Sequence, residues 1–261
     1  MVTILIQNPY HTVAHIKGGY NLAYINFGSR ILKLGSTGTD VTILQSLLNN
    51  LPKSITSHIS GESSFGPQTQ AAVKRFQTYF SLAADGIVGN NTFLFLGQPT
   101  GPYLPSGAAV FGSRNLSKGS TGNDVKILQN RLASTAKKYA LALGGPADGK
   151  FGSKTQAAVK LFQKDFGLSQ DGIVGSNTFT ALYMQTQMGG RLLQRSKFDR
   201  NQGYDVYFLQ AHLKKMGYYN GQLDGKFGLA TQTAVKALQK AVGISVNGIV
   251  GPQTYYHLAT S

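Results

Sequence analysis

Cysteine is absent from the 261 residues of the sequence, which excludes disulfide bonds, zinc–thiolate sites and cysteine nucleophiles. Long apolar runs are absent as well, since none reaches the roughly 18 residues of a membrane-spanning helix. Residues 1–19 also lack the basic and apolar regions of a signal peptide. We therefore expect no membrane span and find no recognisable signal peptide in this chain.

Negative charge is scarce. Asp and Glu together number 10 against 25 Lys and Arg, which gives a formal net charge of +15. Such a charge favours anionic partners, whether nucleic acid, anionic wall polymers such as teichoic acid, or an acidic membrane surface. The basic residues are scattered and no base-reading motif accompanies them, so we expect no specific binding to nucleic acid.

The most informative pattern is an internal repeat that occurs three times. The first segment of each copy contains the motif DVxxLQ and covers 35–48, 119–132 and 201–213. The second begins with Phe-Gly, continues as a helical stretch and covers 65–77, 151–163 and 227–239. The third contains a Gly-Ile-Val-Gly turn and covers 85–93, 171–179 and 247–255. The second and third segments always start 20 residues apart, whereas the distance from the first-segment Asp to the second-segment Phe varies between 22 and 27 residues. A loop that accepts insertions therefore lies in the first half of each copy.

The spacing of apolar residues predicts three short helices in each copy. Val41, Leu44 and Leu48 fall at i, i+3 and i+7, on one face of a helix, and Asp40 stands where an N-cap or first-turn carboxylate belongs. A second helix follows each Phe-Gly pair, and a third covers about 90–96, 176–182 and 252–258. Three such helices can bury one small core.

These motifs, in this order, resemble the peptidoglycan-binding domain type 1 family. The resemblance covers three modules, 30–97, 114–183 and 196–261, which are joined by linkers at 98–113 and 184–195 and preceded by a leader at 1–29. It implies a mainly α fold of three tandem three-helix modules. It also implies non-catalytic, multivalent binding to bacterial cell-wall peptidoglycan at an extracellular or wall-associated location, because members of the family typically hold wall hydrolases on peptidoglycan.

The residues offer little for catalysis. Eight of the ten acids recur at repeat positions typical of caps and turns, and only Asp165 and Asp199 lie outside the repeat. His11 and His15 are four residues apart, but no third metal ligand accompanies them, and no phosphate-binding loop follows a strand. We therefore expect a protein that is not an enzyme and that uses no metal or cofactor.

Glutamines recur at two positions of the repeat, and those of the second helix are candidate ligand-binding residues. Gln77, Gln163 and Gln239 lie next to the apolar face, where an amide costs free energy unless it is hydrogen-bonded. They either tie the helix to a loop or face a groove and bind muropeptide amides. Both interpretations stay open at this point.

A further candidate is the variable loop of the third module, where aromatic side chains and polar groups could form a platform for sugar or peptide. Its candidate residues are Tyr218, Tyr219, Asn220 and Asp224. Packing of the two tyrosines over the core is the alternative. Lys74, Lys160 and Lys236 share one position of the second helix, where they indicate either a solvated face or a site for acidic wall polymers.

The leader contains two apolar stretches, 2–6 and 20–27, that predict short strands. Residues 27–30 recur at 111–114, so the lead-in itself could belong to a longer repeat. Apolar strands can pair with a neighbouring chain. This favours an alternative function, a self-assembling structural subunit of a spore, phage or surface filament, which would self-associate through the N-terminal segment.

Overall fold

The computed structural model describes residues 24–60, 63–195 and 201–260. Within these ranges the chain is helical and contains no β-strand beyond isolated bridges, which confirms the mainly α fold and the tandem modules. The helices are α1 (Thr39–Asn49), α2 (Pro67–Tyr79) and α3 (Asn90–Phe95) in the first module, α4 (Asn123–Thr135), α5 (Lys137–Leu143), α6 (Ser153–Asp165) and α7 (Ser176–Gln185) in the second, and α8 (Tyr204–Lys215), α9 (Leu229–Ala241) and α10 (Pro252–Thr260) in the third.

Two antiparallel bridges close each module around its helices. One bridge holds the segment before the first helix against the Gly-Ile-Val-Gly turn, and the other holds the start of that helix against the segment before the second helix. The bridged pairs are Leu32–Val88 and Thr37–Ser64, Leu116–Val174 and Thr121–Lys150, and Leu193–Val250 and Gln202–Lys226. The backbone therefore returns to the same two anchor points in every module.

An arginine–aspartate pair fastens the beginning of the first helix in each module. The aspartate lies buried in the first helical turn, as its position predicted, and accepts hydrogen bonds from an arginine of the preceding segment. The pairs are Arg30–Asp40 at 2.8 Å, Arg114–Asp124 at 2.7 Å and Arg191–Asp205 at 2.7 Å. Only the third pair is buried on both sides, because its arginine is 8% exposed against 41% and 48% for the others.

The described part of the second predicted strand, residues 24–27, is not a strand, and that prediction is wrong there. The backbone N–H of Ile25 donates to the Thr39 hydroxyl at 2.8 Å instead of to another strand. Phe27 is buried against the rings of Phe93 and Tyr183. Residues 2–6 and 20–23 lie outside the described residues, so self-association through the leader stays a prediction.

The second module contains a helix that the sequence analysis treated as an insertable loop. Helix α5 packs against α4 and α6, with Tyr139 and Leu143 buried. Asp165, one of the two acids outside the repeat, binds Lys138 at 2.5 Å and accepts a hydrogen bond from the Tyr139 hydroxyl. The longer spacing in this copy thus accommodates a fourth helix, whereas the described residues of the first and third modules form three α-helices each.

The three modules pack against one another rather than hanging on free linkers. Helix α10 of the third module lies on α4 and α5 of the second, and α1 of the first contacts α7 of the second. The amide of Asn50 donates to the Tyr204 hydroxyl at 3.1 Å, which joins the first module to the third. The start of the predicted linker 98–113 is buried as well. The chain is therefore one packed body over its described residues.

Candidate functional site

The glutamine of the second helix is the centre of an equivalent polar network in every module. In the second module, Gln163 donates from Nε2 to the Asp171 carboxylate at 2.9 Å, to the Ile173 carbonyl at 2.9 Å and to the Thr178 hydroxyl at 3.2 Å. Its Oε1 accepts from the Gly172 N–H at 2.9 Å. The corresponding networks are centred on Gln77 and Gln239. The amide atoms are thus occupied inside the protein and hold the turn in place.

The pKa of the aspartate in this turn reflects the same hydrogen bonds. The backbone N–H of Ile173 and the amide of Gln163 hold the pKa of the Asp171 carboxyl below its usual value, and Asp85 is affected in the same way by Ile87 and Gln77. The third module has Asn247 at this position, whose Oδ1 accepts the same two hydrogen bonds. The geometry of the turn therefore does not require a negative charge.

The glutamine of the first helix forms a second network on the other bridge. Gln210 donates to the Asp224 carboxylate at 2.7 Å and to the Thr231 hydroxyl at 3.1 Å, and accepts from the Gly225 N–H at 2.8 Å. Gln129 makes the equivalent bonds to Asp148 and Thr155. Both helices therefore carry a buried amide that orients the loop following it.

The candidate loop residues of the third module divide into inward and outward groups. Tyr219 is buried and its hydroxyl donates to the Gln222 carbonyl at 2.7 Å, while Asp224 accepts from Gln210 and from the Lys226 N–H. Tyr218 is half-buried and Asn220 is exposed. Of the four candidates, Asn220 is therefore the most exposed, Tyr218 and Asp224 keep part of their surface, and Tyr219 is buried.

An exposed isoleucine in the turn is a candidate that the sequence analysis missed. Ile87 and Ile173 keep 38% and 41% of their surface exposed, although the turns that carry them are fixed by the glutamine networks. Ile249 holds the same place in the third module and is half-buried. The sequence did contain a signal for this residue, because the Ile of the Gly-Ile-Val-Gly turn is present in all three copies. A rigidly held apolar side chain on an otherwise polar turn is a suitable contact point.

A shallow cleft of about 320 Å³ lies on the first module beside α2. Its lining comprises Ser54, Ile55, Lys74, Arg75, Thr78 and Tyr79. Lys74 is exposed, as are Lys160 and Lys236 at the equivalent positions, so the structure places all three lysines on the solvent side of the second helix. The cleft has cations and hydroxyls but no carboxylate among its lining residues.

Within the described residues, no three His, Asp or Glu side chains cluster in a way that could hold a metal ion. His11 and His15 lie outside the described residues. His212 is largely buried, which lowers its pKa, and its Nε2 lies 2.8 Å from the Leu258 carbonyl. Among the described helices, none combines the length and the apolar character that crossing a membrane requires.

The comparison with family models decides the family. The model described as "Putative peptidoglycan binding domain" matches residues 37–96, 121–182 and 202–258, more than half of the chain. The chain belongs to this family. Each matched segment begins two residues before the first helix of a module and ends within three residues of the end of its last helix.

The chain also resembles curated wall enzymes. It is 40% identical over 127 residues to the N-acetylmuramoyl-L-alanine amidase CwlM of Mycobacterium tuberculosis, a match that covers 48% of this chain and 30% of the relative. It is 30% identical over 206 residues to the N-acetylmuramoyl-L-alanine amidase CwlL of Bacillus licheniformis, covering 70% of this chain and 54% of the relative. The crystal structure of the SleB N-terminal domain is 37% identical over 27% of this chain and 94% of that chain, with a TM-score of 0.25.

These relatives correct the expectation that the protein is not an enzyme. Proteins that are 30% to 40% identical to it are named as amidases, so its relatives are enzymes of the cell wall. The matched part is no more than about half of their length. The expectation rested on the acids and histidines of this chain alone, and such a count carries no information about relatives.

Proposed function

We propose that this chain binds bacterial cell-wall peptidoglycan through its three modules and serves wall hydrolysis by an amidase. The observation that supports this most directly is that the three segments matched by the family model fold alike, down to the hydrogen bonds of one glutamine. The names of the relatives support the link to amidases. Such a role belongs at the cell wall, outside the cytoplasm.

The contact surface in this proposal is the turn held by the glutamine network. The isoleucine of that turn (Ile87, Ile173 or Ile249) provides an apolar contact, and Tyr218 and Asn220 add to it in the third module. Gln77, Gln163, Gln239, Tyr219 and Asp224 act by holding these surfaces in position, because their polar atoms are bonded within the protein. Exposed lysines attract anionic wall polymers without selecting among them.

The packing of the modules shapes how the three sites act together. Linked sites raise apparent affinity by about 10²–10⁴ only when their geometry allows simultaneous binding. Because these modules form one body, their spacing is fixed rather than set by flexible linkers. Binding is therefore expected to be stronger on intact sacculi, which offer many ligands, than on soluble muropeptides.

The test is co-sedimentation with sacculi stripped of teichoic acid, over a salt series, with the protein alone as the control for self-pelleting. The native chain is expected to remain bound at high salt. A variant with Ile87, Ile173 and Ile249 all changed to Ala is expected to lose most of this binding. Leu141→Ala is the matched control, because Leu141 is 58% exposed but lies on α5, which the other modules lack.

Two results would contradict the proposal. Loss of all sedimentation at moderate salt would indicate that charge alone attracts the chain to the wall. Pelleting without sacculi would instead favour self-assembly. Equal binding by the triple variant and by Leu141→Ala would leave wall binding intact but remove the turn as its contact surface.

A further inference from the structure

Three of the exposed lysines do more than attract anions in general, because the turn of each module holds them in place. In the third module, a Cβ at Gly248 would lie 3.1 Å from Lys236 Cε and 2.9 Å from Gln232 Cγ, so both side chains of α9 bend over this glycine. Gly248 has a φ of 72° and no side chain, which leaves room for them. Ile249 follows directly and keeps part of its surface exposed. We call these four residues, and their equivalents in the other modules, the lysine turn.

The first two modules repeat this arrangement with nearly the same distances. A Cβ would lie 3.0 Å from the lysine Cε in both, at Gly86 beside Lys74 and at Gly172 beside Lys160. The glutamines of these turns, whose Cγ atoms lie 2.7 and 2.6 Å from the same positions, are Gln70 and Gln156. The buried glutamine networks fix the turns, so each lysine packs its apolar stem on a rigid support and keeps its ammonium at the surface.

The polar ends of Lys236 and Gln232 are available to a ligand. Within the described ranges of the chain, the ammonium of Lys236 has no salt bridge and the side-chain amide of Gln232 has no hydrogen bond. Gln232 Nε2 lies 3.3 Å from the Cβ position of Gly248, so the amide and the lysine stem meet around one point. The two backbone N–H groups of the turn already donate within the protein, to Gln239 and Asn247. A ligand therefore meets one cation, one amide and one apolar side chain.

The charge beside the lysine distinguishes the third module from the other two. Hydrogen bonds within the turn of the second module contribute most to the lowered pKa of the Asp171 carboxyl, and the charge of Lys160 lowers it further. The first module shows the same interaction. In both, the aspartate therefore offsets part of the charge of its lysine. The third module has Asn247 at this position, so no carboxylate of the turn offsets the charge of Lys236.

Peptidoglycan contains a group that matches this surface. Its glycan strands consist of N-acetylated sugars, whereas its stem peptides carry free carboxylates next to the methyl groups of alanine. An ammonium and an amide N–H can each donate to one carboxylate oxygen, and hydrogen bonds assisted by charge are stronger than neutral ones. The methyl group can pack against the exposed isoleucine. The lysine turn therefore fits an alanine that ends in a free carboxylate.

We propose that the lysine turn of the third module binds the carboxylate of a C-terminal alanine in the stem peptide, and that Asp85 and Asp171 make the other two modules weaker binders. Lys236 and Gln232 donate to the carboxylate, and Ile249 contacts the methyl group. This inference rests on the proposed function, because it names the part of peptidoglycan that the turn recognises.

The direct test is an NMR titration of the isotope-labelled full chain with diacetyl-L-lysyl-D-alanyl-D-alanine. The C-terminal amide of the same peptide is the control probe, since it replaces only the carboxylate. The free acid is expected to shift the Gly248 N–H and the Gln232 side-chain amide at lower concentration than the equivalent groups of the other modules. The amide is expected to bind at least about tenfold more weakly, as for the loss of a hydrogen bond to a charged group. Equal shifts by both probes would overturn the proposal.

Exchanges at one position of the turn test the effect of the neighbouring charge. Asn247→Asp is expected to weaken binding at the third module about two- to fivefold, and Asp171→Asn to strengthen it at the second by a similar factor. Both residues accept the same hydrogen bonds in their own turns, so neither exchange should disturb the fold. Unchanged affinities in both variants would overturn the proposal.

Removing the cation is the stronger change. Lys236→Met should abolish the shifts at the third module. Lys215→Met is the matched control, because it removes an exposed lysine from α8 with the same loss of charge, and it should leave the shifts unchanged. Equal weakening in the two variants would overturn the proposal, because it would show a general effect of the positive charge.

Co-sedimentation with sacculi separates failure of this inference from failure of the proposed function. Sedimentation of the native chain without any shift by the free acid would leave wall binding in place and overturn the carboxylate as its ligand. Loss of both would contradict the proposed function itself. Equal shifts by glycerol 3-phosphate would also overturn the inference, because they would indicate binding to the phosphates of wall polymers.

Discussion

The glutamine networks and the three-module junction are both buried and polar, yet they differ in almost every other respect. The networks occur in all three modules with nearly the same distances, and each lies within one module. The junction occurs once and takes Asn50, Arg131 and Tyr204 from three different modules. Repeated residues thus define the module, and residues that break the repeat define how modules assemble.

The arginine–aspartate pairs allow a direct comparison of the two regions. Two of the equivalent pairs lie within a module, and the third lies at the junction. Arg191→Met is expected to cost about 3–5 kcal/mol, since it leaves Asp205 buried without its partner. Arg30→Met should cost much less, because its arginine is partly exposed and water can reach the gap. Urea unfolding of both variants measures the difference. Equal losses would show that burial at the junction adds nothing to this pair.

The networks themselves can be tested by removing one amide. Gln163→Leu should cost about 2–4 kcal/mol, because the Gly172 N–H loses its acceptor and the Ile173 carbonyl and Thr178 hydroxyl each lose their bond from the amide. Gln170→Leu is the control at an exposed position. Chemical unfolding gives both values. A loss below that of an ordinary surface substitution would mean that the network does not stabilise the module.

Two equivalent glycines allow the cost of backbone strain to be distinguished from the cost of a steric clash between modules. Gly122 and Gly203 have φ values of 134° and 132°, so alanine is strained at either position. A Cβ at Gly203 would also lie 2.0 Å from the Phe95 carbonyl of the first module, whereas at Gly122 it would meet the side chain of Asp124. Gly203→Ala should therefore cost about 1–3 kcal/mol more than Gly122→Ala. Equal costs in calorimetry would contradict the packing of the first module on the third.

The smallest effect concerns pH. The pKa of Asp171 is lowered in the folded protein, so its contribution is complete above its ordinary pKa of 3.8 and is lost as pH falls through the lower folded value. Asp171→Asn, which copies Asn247, should therefore make acid unfolding less steep, and Asn247→Asp should make it steeper. Circular dichroism between about pH 5 and pH 2, the range in which carboxylates ordinarily titrate, measures this. Unchanged profiles in both variants would show that the turn does not couple to acid unfolding.

The sequence predicted the part of the fold that depends on local pattern. The stripe of Val41, Leu44 and Leu48 lies buried on α1, and Asp40 lies in its first turn, as spacing required. Helix α5 was missed because its seven residues are fewer than the window in which helical periodicity can be recognised. One sign of it was Asp165, an acid outside the repeat, which pairs with Lys138 on α5. The predicted strand at 24–27 failed because its apolar residues fill a core instead of a sheet.

The junction could not be predicted in the same way. Arg131 follows the pattern of a surface helix position, and it is buried by residues far away in the sequence, among them Gln98 and Thr186 from two connecting segments. The proposed role of Ile173 was equally hidden, because an exposed apolar residue indicates a contact surface only once its turn is known to be rigid. Such properties depend on contacts between residues far apart in the chain.

The buried start of the first connecting segment has a consequence for survival among secreted proteases. Proteases prefer exposed loop tips, and in this segment residues 105–107 are exposed while residues 98–100 are buried. A cut at the exposed tip would leave the packing of α1 on α7 and the bond from Asn50 to Tyr204 in place. A nicked molecule would therefore remain whole under native conditions, and its fragments would separate only on denaturation.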